Sequence, residues 1–194
     1  MNILMVDGSG REGSYNRKLL NVFAALVHAR LPTAVLTTVS PASHPVPNLI
    51  PGTQYPDGTA SVCEDLRAKA LAADAFVIAS PEYNGGPTGG LKNLCDWMSY
   101  PSPAAPEGNP FEMKPTVLLS ASPGSLGGIK GLQVLRLILG HLRALILPEQ
   151  VALAQADEAF DESGGLLPSL AMTLAESAAG QLEQALTGSK RDRI

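Results

Sequence analysis

Aromatic side chains make up only 5% of this 194-residue chain, with one tryptophan and four phenylalanines. The core therefore has to be packed mostly by alanine and leucine. Cysteine occurs twice, as Cys63 and Cys95. Two such residues form neither a metal-ligand spacing nor the even framework of a disulfide-stapled domain, so both are expected to be reduced packing residues. Positive charge is also short: 14 basic residues face 18 acidic ones, and the net charge is -4. The densest basic group is KRDR at residues 190–193. That pattern gives no electrostatic footprint for a nucleic-acid partner. No apolar run approaches the roughly 18 residues of a membrane span. No basic segment follows Met1; the chain enters NILMV directly and meets an acid at Asp7, so no signal peptide is expected. What is present is 45% hydrophobic residues, enough for a sizeable core. The length favours one domain spanning 1–194. The expectation is a soluble cytoplasmic α/β protein.

Short apolar runs alternate with helical patterns along the chain. Asn2 to Val6, Ala34 to Val39, Ala75 to Ala79, Pro115 to Ala121 and Ala144 to Leu147 read as strands, the last closed by Pro148. Arg17 to Ala29, Ala60 to Ala73, a stretch after Gly89-Gly90, Ile129 to Leu142 and Leu166 to Leu186 read as helices. Two proline-rich connections, 41–58 and 99–114, exclude regular helix. Strands with little alternation, separated by helices, imply a parallel sheet covered on both faces. The short-chain candidate is a doubly wound, three-layer sheet in the order 2-1-3-4-5.

Such sheets bind ligands beyond the carboxyl ends of their strands. Three unusual loops fall there. The first, GSGREGSYN, offers the side chains of Ser9, Ser14 and Asn16, the Arg11 guanidinium and glycines that let backbone N–H groups converge, and it feeds into a helix N-terminus. That chemistry suits a terminal phosphate; the alternative is an ordinary cap by Ser14 or Asn16. It is not a P-loop, because no lysine follows Gly13. Gly8, Gly10 and Gly13 match a dinucleotide fingerprint, yet LTTVS after Val35 lacks the acid expected about 20 positions on. The second loop, SPEYNGGPTGGLKNLCDW from Ser80 to Trp97, sets Pro81, Glu82, Tyr83 and Asn84 beside a flexible Gly85-Gly86 backbone, as the edge of a flat heterocycle would require. The third, Ser120 to Gly128, has small residues able to close on the same ligand; the alternative is a glycine-rich turn before a helix.

GSGREGSYNRKL and SPEYNGGPTGGLKNLCDW together resemble the signature segments of the NADPH-dependent FMN reductase family, flavodoxin-like quinone, azo and chromate reductases. SASPGSLGG and the helix and strand after it are similar to that family's third loop region. The resemblance covers roughly residues 1 to 150. It implies FMN as cofactor and NADPH or NADH as co-substrate. It places the FMN phosphate on Ser9, Arg11, Ser14 and Asn16, with backbone help from Gly13 and Tyr15. The isoalloxazine ring would lie along Pro81, Glu82, Tyr83, Asn84 and Gly85, with Ser120 and the loop after it closing nearby. It further implies a homodimer or homotetramer and a small-molecule electron acceptor. No catalytic side chain and no metal is expected, because the flavin carries the redox step. The alternatives are an FMN-binding electron carrier that does not oxidise NAD(P)H directly, a relative that has lost the cofactor, and a classical NAD dehydrogenase, which the missing acid disfavours.

Overall fold

The computed structural model describes residues 1–52, 54, 58–101 and 108–188. Parts of both proline-rich connections and the KRDR tail lie outside those residues. In chain order the elements are β1 (Asn2–Asp7), α1 (Tyr15–Arg30), β2 (Val35–Val39), α2 (Thr59–Ala72), β3 (Ala75–Ala79), β4 (Glu82–Tyr83), β5 (Gly86–Pro87), α3 (Gly89–Ser99), β6 (Pro115–Ala121), α4 (Ile129–His141), β7 (Leu145–Leu153) and α5 (Leu170–Gly188). Five strands form one parallel sheet in the order β2-β1-β3-β6-β7. Since β4 and β5 form a separate small hairpin, this is the expected 2-1-3-4-5 arrangement.

The strands lack alternation because both faces are covered. In β1, Ile3 and Met5 face a cluster built with Leu19, Leu20, Phe23 and Val27 of α1 and the alanine-rich side of α5. Leu4 and Val6 face the opposite cluster, with Leu66 of α2, Leu91 and Leu94 of α3 and Leu132 and Leu135 of α4. Ala175, Ala178 and Ala179 are all buried. Their small side chains let α5 lie close to the sheet, which is how a chain poor in aromatics fills that layer.

Two boundaries differ from expectation by more than two residues. The fifth sheet strand does not stop at Pro148 but runs from Leu145 to Leu153. Its register slips opposite β6: Thr116 pairs Ile146, while Leu118 pairs Gln150. Pro148 falls inside that irregularity on an edge strand, where its missing N–H breaks no ladder bond. The last helix begins at Leu170 rather than Leu166, because Leu166 is held in a bridge with Phe160. Pro168 follows, and the Ser169 hydroxyl accepts from the Met172 N–H (3.2 Å), so the cap falls after the proline.

The first proline-rich connection is fastened by the end of the signature segment. Asn93 accepts from the Leu49 N–H (3.0 Å) and donates to the Pro47 carbonyl (2.9 Å), to which the Trp97 indole N–H also donates (2.7 Å). On α2, the buried Arg67 guanidinium donates to the carbonyls of Met98 (2.6 Å) and Gly108 (2.9 Å). Among the described residues no helix is long and apolar enough to cross a membrane.

Candidate active site

The first loop is built on a buried acid. Asp7 ends β1 with no solvent exposure. Its Oδ1 accepts from the Ser9 N–H (2.9 Å) and its Oδ2 from Arg17 Nε (2.6 Å). Gly8 then donates its N–H to the Ala79 carbonyl (2.8 Å). A Cβ on Gly8 would stand 2.9 Å from both that oxygen and Leu91 Cδ2, so close strand-to-helix packing requires glycine here. Ser9 Oγ accepts from the Arg11 N–H (3.2 Å). Ser14 occupies the N-cap of α1 in extended conformation, but its hydroxyl makes no capping bond. No acidic residue stands in the first turn of α1, leaving its partial positive charge uncompensated there. Arg11 is exposed, with its guanidinium carbon 5.9 Å from the Tyr15 ring centroid.

Asn16 faces inward. Its amide donates to the Ala121 carbonyl and its oxygen accepts from the Ala121 N–H, each at 2.9 Å. The side chain thus ties the start of α1 to the end of β6.

The second loop is a hairpin. Glu82–Tyr83 pairs antiparallel with Gly86–Pro87. The two residues between them have positive φ, 54° at Asn84 and 77° at Gly85, as a type I′ turn requires. Asn-Gly flanked by short extended segments is the strongest short-range signal for such a turn, so the hairpin was legible beneath the ligand-oriented reading of those glycines. Glu82 Oε2 accepts from the Gly131 N–H (2.8 Å) in the first turn of α4, which braces the hairpin against that helix. Tyr83 is 62% exposed. Thr88 joins hairpin to loop: its hydroxyl donates to the Gly8 carbonyl (2.7 Å) and caps α3 by accepting from the Leu91 N–H (3.1 Å).

In the third loop, Gly127 and Gly128 both have positive φ, and a Cβ on Gly127 would stand 2.6 Å from the Ala152 backbone. Ser120 is fully buried, and its Oγ has no hydrogen-bond partner among the described residues.

These loops enclose a cleft of about 180 Å³. Ser9, Arg11, Ser14, Tyr15 and Asn16 line one side, Pro81, Glu82 and Tyr83 another, and Ala121, Ser122 and Pro123 the third. Gly13 belongs to the first loop (φ 66°), Asn84 and Gly85 form the hairpin tip, and Ser120 lies one residue below Ala121; these four do not line the cleft. A larger hollow of about 350 Å³ runs along Gly180, Glu183 and Thr187 of α5, but it has no comparable convergence of donors. The hydroxyls of Ser9 and Ser14, the uncapped N-terminus of α1 and the Arg11 cation are a donor set that fits a phosphate monoester. Side chains that support the cleft without having been singled out are Asp7, Arg17, Thr88 and Phe160. Phe160 stacks on Tyr15 (6.4 Å, 6° between planes), with Lys18 Nζ 5.8 and 5.5 Å from the two rings. None of the four carries a local motif, since each acts through a partner distant in sequence or common in type.

Neither cysteine is poised for chemistry. Burial, with Glu64 adding, pushes the Cys63 thiol up to about 11. Burial, with Asp96 adding, pushes Cys95 up to about 12. The thiolate is the reactive form, so at pH 8 the folded protein should resist Ellman's reagent and release two equivalents of colour only on unfolding. Fast labelling of the native state would contradict this burial.

A parallel sheet whose carboxyl edge carries an anion cradle beside a tight hairpin defines a mononucleotide-binding α/β protein. The profile of the NADPH-dependent FMN reductase family matches residues 1–158, and the chain belongs to that family. An NAD(P)H-dependent FMN reductase of Pseudomonas aeruginosa is 35% identical over 176 residues, covering 90% of this chain and 89% of the relative. A quinone reductase of Escherichia coli is 29% identical over 147 residues, covering 76% and 73%. The solved flavoenzyme NAD(P)H:(acceptor) oxidoreductase of Paracoccus denitrificans superposes with a TM-score of 0.73 at 21% identity, covering 96% of this chain and 97% of that one. The fold is flavodoxin-like. The protein is an oxidoreductase enzyme whose cofactor is FMN and whose co-substrate is NAD(P)H.

Proposed function

We propose that the protein is one flavodoxin-like domain over 1–194 that oxidises NAD(P)H through FMN and reduces a quinone, an azo compound, chromate or free flavin. The observation that carries this reading is the single cleft shared by the anion cradle and the hairpin. When bound, the cofactor supplies two-electron chemistry: hydride from the nicotinamide to flavin N5, then electrons to the acceptor. The chain's own part is binding and orientation. Ser9, Ser14 and Arg11 hold the phosphate, together with the N–H groups around Gly13 and Tyr15, while Asn16 fixes the helix that presents them. Pro81 to Gly85 line the ring. The Asn84–Gly85 turn at the hairpin tip would offer a backbone N–H to the ring, in a hairpin that Glu82 and Thr88 hold in place. Ser120 supports the far wall. No side-chain acid or base is assigned to the reaction. A homodimer or homotetramer belongs to this reading, in keeping with the exposed Leu137 on α4 (76%), as does a cytoplasmic location.

Purified protein is incubated with FMN, freed of unbound cofactor and examined by visible absorption. Retained flavin that NADPH or NADH bleaches without oxygen is the expected result. Retained flavin that neither nicotinamide bleaches would point instead to an electron carrier, and no retention would sink the cradle assignment. Arg11→Ala should weaken FMN binding about tenfold or more, since a hydrogen bond to a charged group contributes about 1.5–3 kcal/mol.

A further inference from the structure

We infer that Asp7 is a positioning residue for the phosphate loop, and that preference for the phosphorylated flavin over its unphosphorylated form depends on it. The inference rests on the assignment of that loop to the FMN phosphate. At first sight the residue is misplaced, since a carboxylate with no solvent exposure sits directly beneath a cradle for an anion. A buried charge persists only when it is paired and hydrogen-bonded. Asp7 meets that condition in a way that organises its neighbours. Arg17 Nε, at 2.6 Å from Oδ2, offsets the charge. Oδ1 takes the Ser9 N–H at 2.9 Å, fixing the backbone at the point where the loop leaves the strand.

The next link follows from donor counting. Ser9 Oγ already accepts from the Arg11 N–H, so the loop folds back on this hydroxyl. The hydroxyl has one proton, and no acceptor within the chain takes it among the described residues. Ser9 lines the cleft, and its proton is free for a phosphate oxygen. The order of support is thus Arg17 to Asp7, Asp7 to Ser9, and Ser9 to Arg11. The last two are the groups assigned to the phosphate, whereas the hairpin assigned to the ring, tied to the Gly8 carbonyl through Thr88, is also held by Glu82 on Gly131 and by its own strand pairing, neither of which involves Asp7. A defect at Asp7 should therefore weaken recognition of the phosphate and leave recognition of the ring intact.

The test compares FMN with riboflavin, which has the ring but no phosphate, by titrating flavin fluorescence with apoprotein. Wild type should bind FMN more tightly than riboflavin. Asp7→Leu removes both acceptors and should weaken FMN binding about tenfold or more, the scale of a hydrogen bond to a charged group, with riboflavin binding unchanged within about twofold. Equal losses for both flavins, or no loss for either, would overturn the inference. Asp7→Leu combined with Arg17→Met covers the case in which Asp7→Leu alone does not fold, because it removes the unpaired guanidinium together with the buried carboxylate, at a position that is half exposed. It should also lower the FMN-to-riboflavin ratio, and an unchanged ratio would overturn the inference. Wild type that fails to discriminate between the two flavins would overturn the phosphate assignment itself, and this inference with it.

Discussion

Asn16→Ala should unsettle the protein before any cofactor is added. The substitution strips both hydrogen bonds from the buried backbone of Ala121, leaving an N–H and a carbonyl without partners. An unsatisfied buried group costs about 1–3 kcal/mol, so a loss of about 2–4 kcal/mol is expected. For a chain of this length that lowers the melting temperature of the apoprotein on the order of 5–10 °C. Asn16→Asp should do no better, because its second oxygen would face the Ala121 carbonyl. Ser14→Ala is the contrasting case. The Ser14 hydroxyl makes no capping bond, so its loss should change apoprotein stability by less than about 0.5 kcal/mol, well below the usual cost of removing a cap. FMN affinity should fall for Ser14 and Asn16 variants alike. The two roles separate on the apoprotein melt: an Asn16→Ala protein that melts like wild type and merely loses FMN would make Asn16 a direct phosphate ligand rather than a strut.

That contrast marks how far the sequence reaches. A serine and an asparagine in one loop look like equivalent donors, and residue type does not tell which turns outward. The orientation of Asn16 is decided by a partner more than a hundred residues away, at the end of another strand. The strands were legible for the opposite reason. Burial on both faces leaves continuous apolar runs such as Ala75–Ala79, a local property of composition. The Asn84–Gly85 turn was also written locally, because positive φ at two successive positions selects those residue types. Pro148 misled because a proline usually ends a strand. Here the strand lies at the sheet edge and absorbs it in a register slip, a fact of topology that no window of sequence contains. Asp7 was visible only as an acid. Its function depends on Arg17 folding back from the first turn of α1, which needs the loop already formed.

Phe111→Ala should be among the most damaging substitutions in the chain. With four phenylalanines in all, this fold has few bulky side chains to spare. Phe111 and Phe76 are both fully buried and stack at 4.7 Å between centroids, 27° apart. The position of Phe111 is locked from outside the ring: its N–H donates to Asn109 Oδ1 (3.1 Å), and the Asn109 amide donates to the Leu142 carbonyl (2.7 Å). A segment pinned in that way cannot collapse into the space a smaller side chain leaves. Truncation of a buried phenylalanine costs about 3–5 kcal/mol, and the upper part of that range is expected where relaxation is blocked. The melting temperature should fall on the order of 10 °C or more. Phe111→Leu restores much of the volume without the stacked geometry and should cost under half as much. The loss should spare FMN affinity at temperatures where the variant stays folded. Phe76 is the second residue of β3, three residues below Ala79, and the bonds that shape the cleft start only beyond that point, at Gly8, Ser80 and Glu82. A Phe111→Ala protein with an unchanged melt would mean that the two rings carry little of the core, and the packing of this face would then have to rest on its leucines alone.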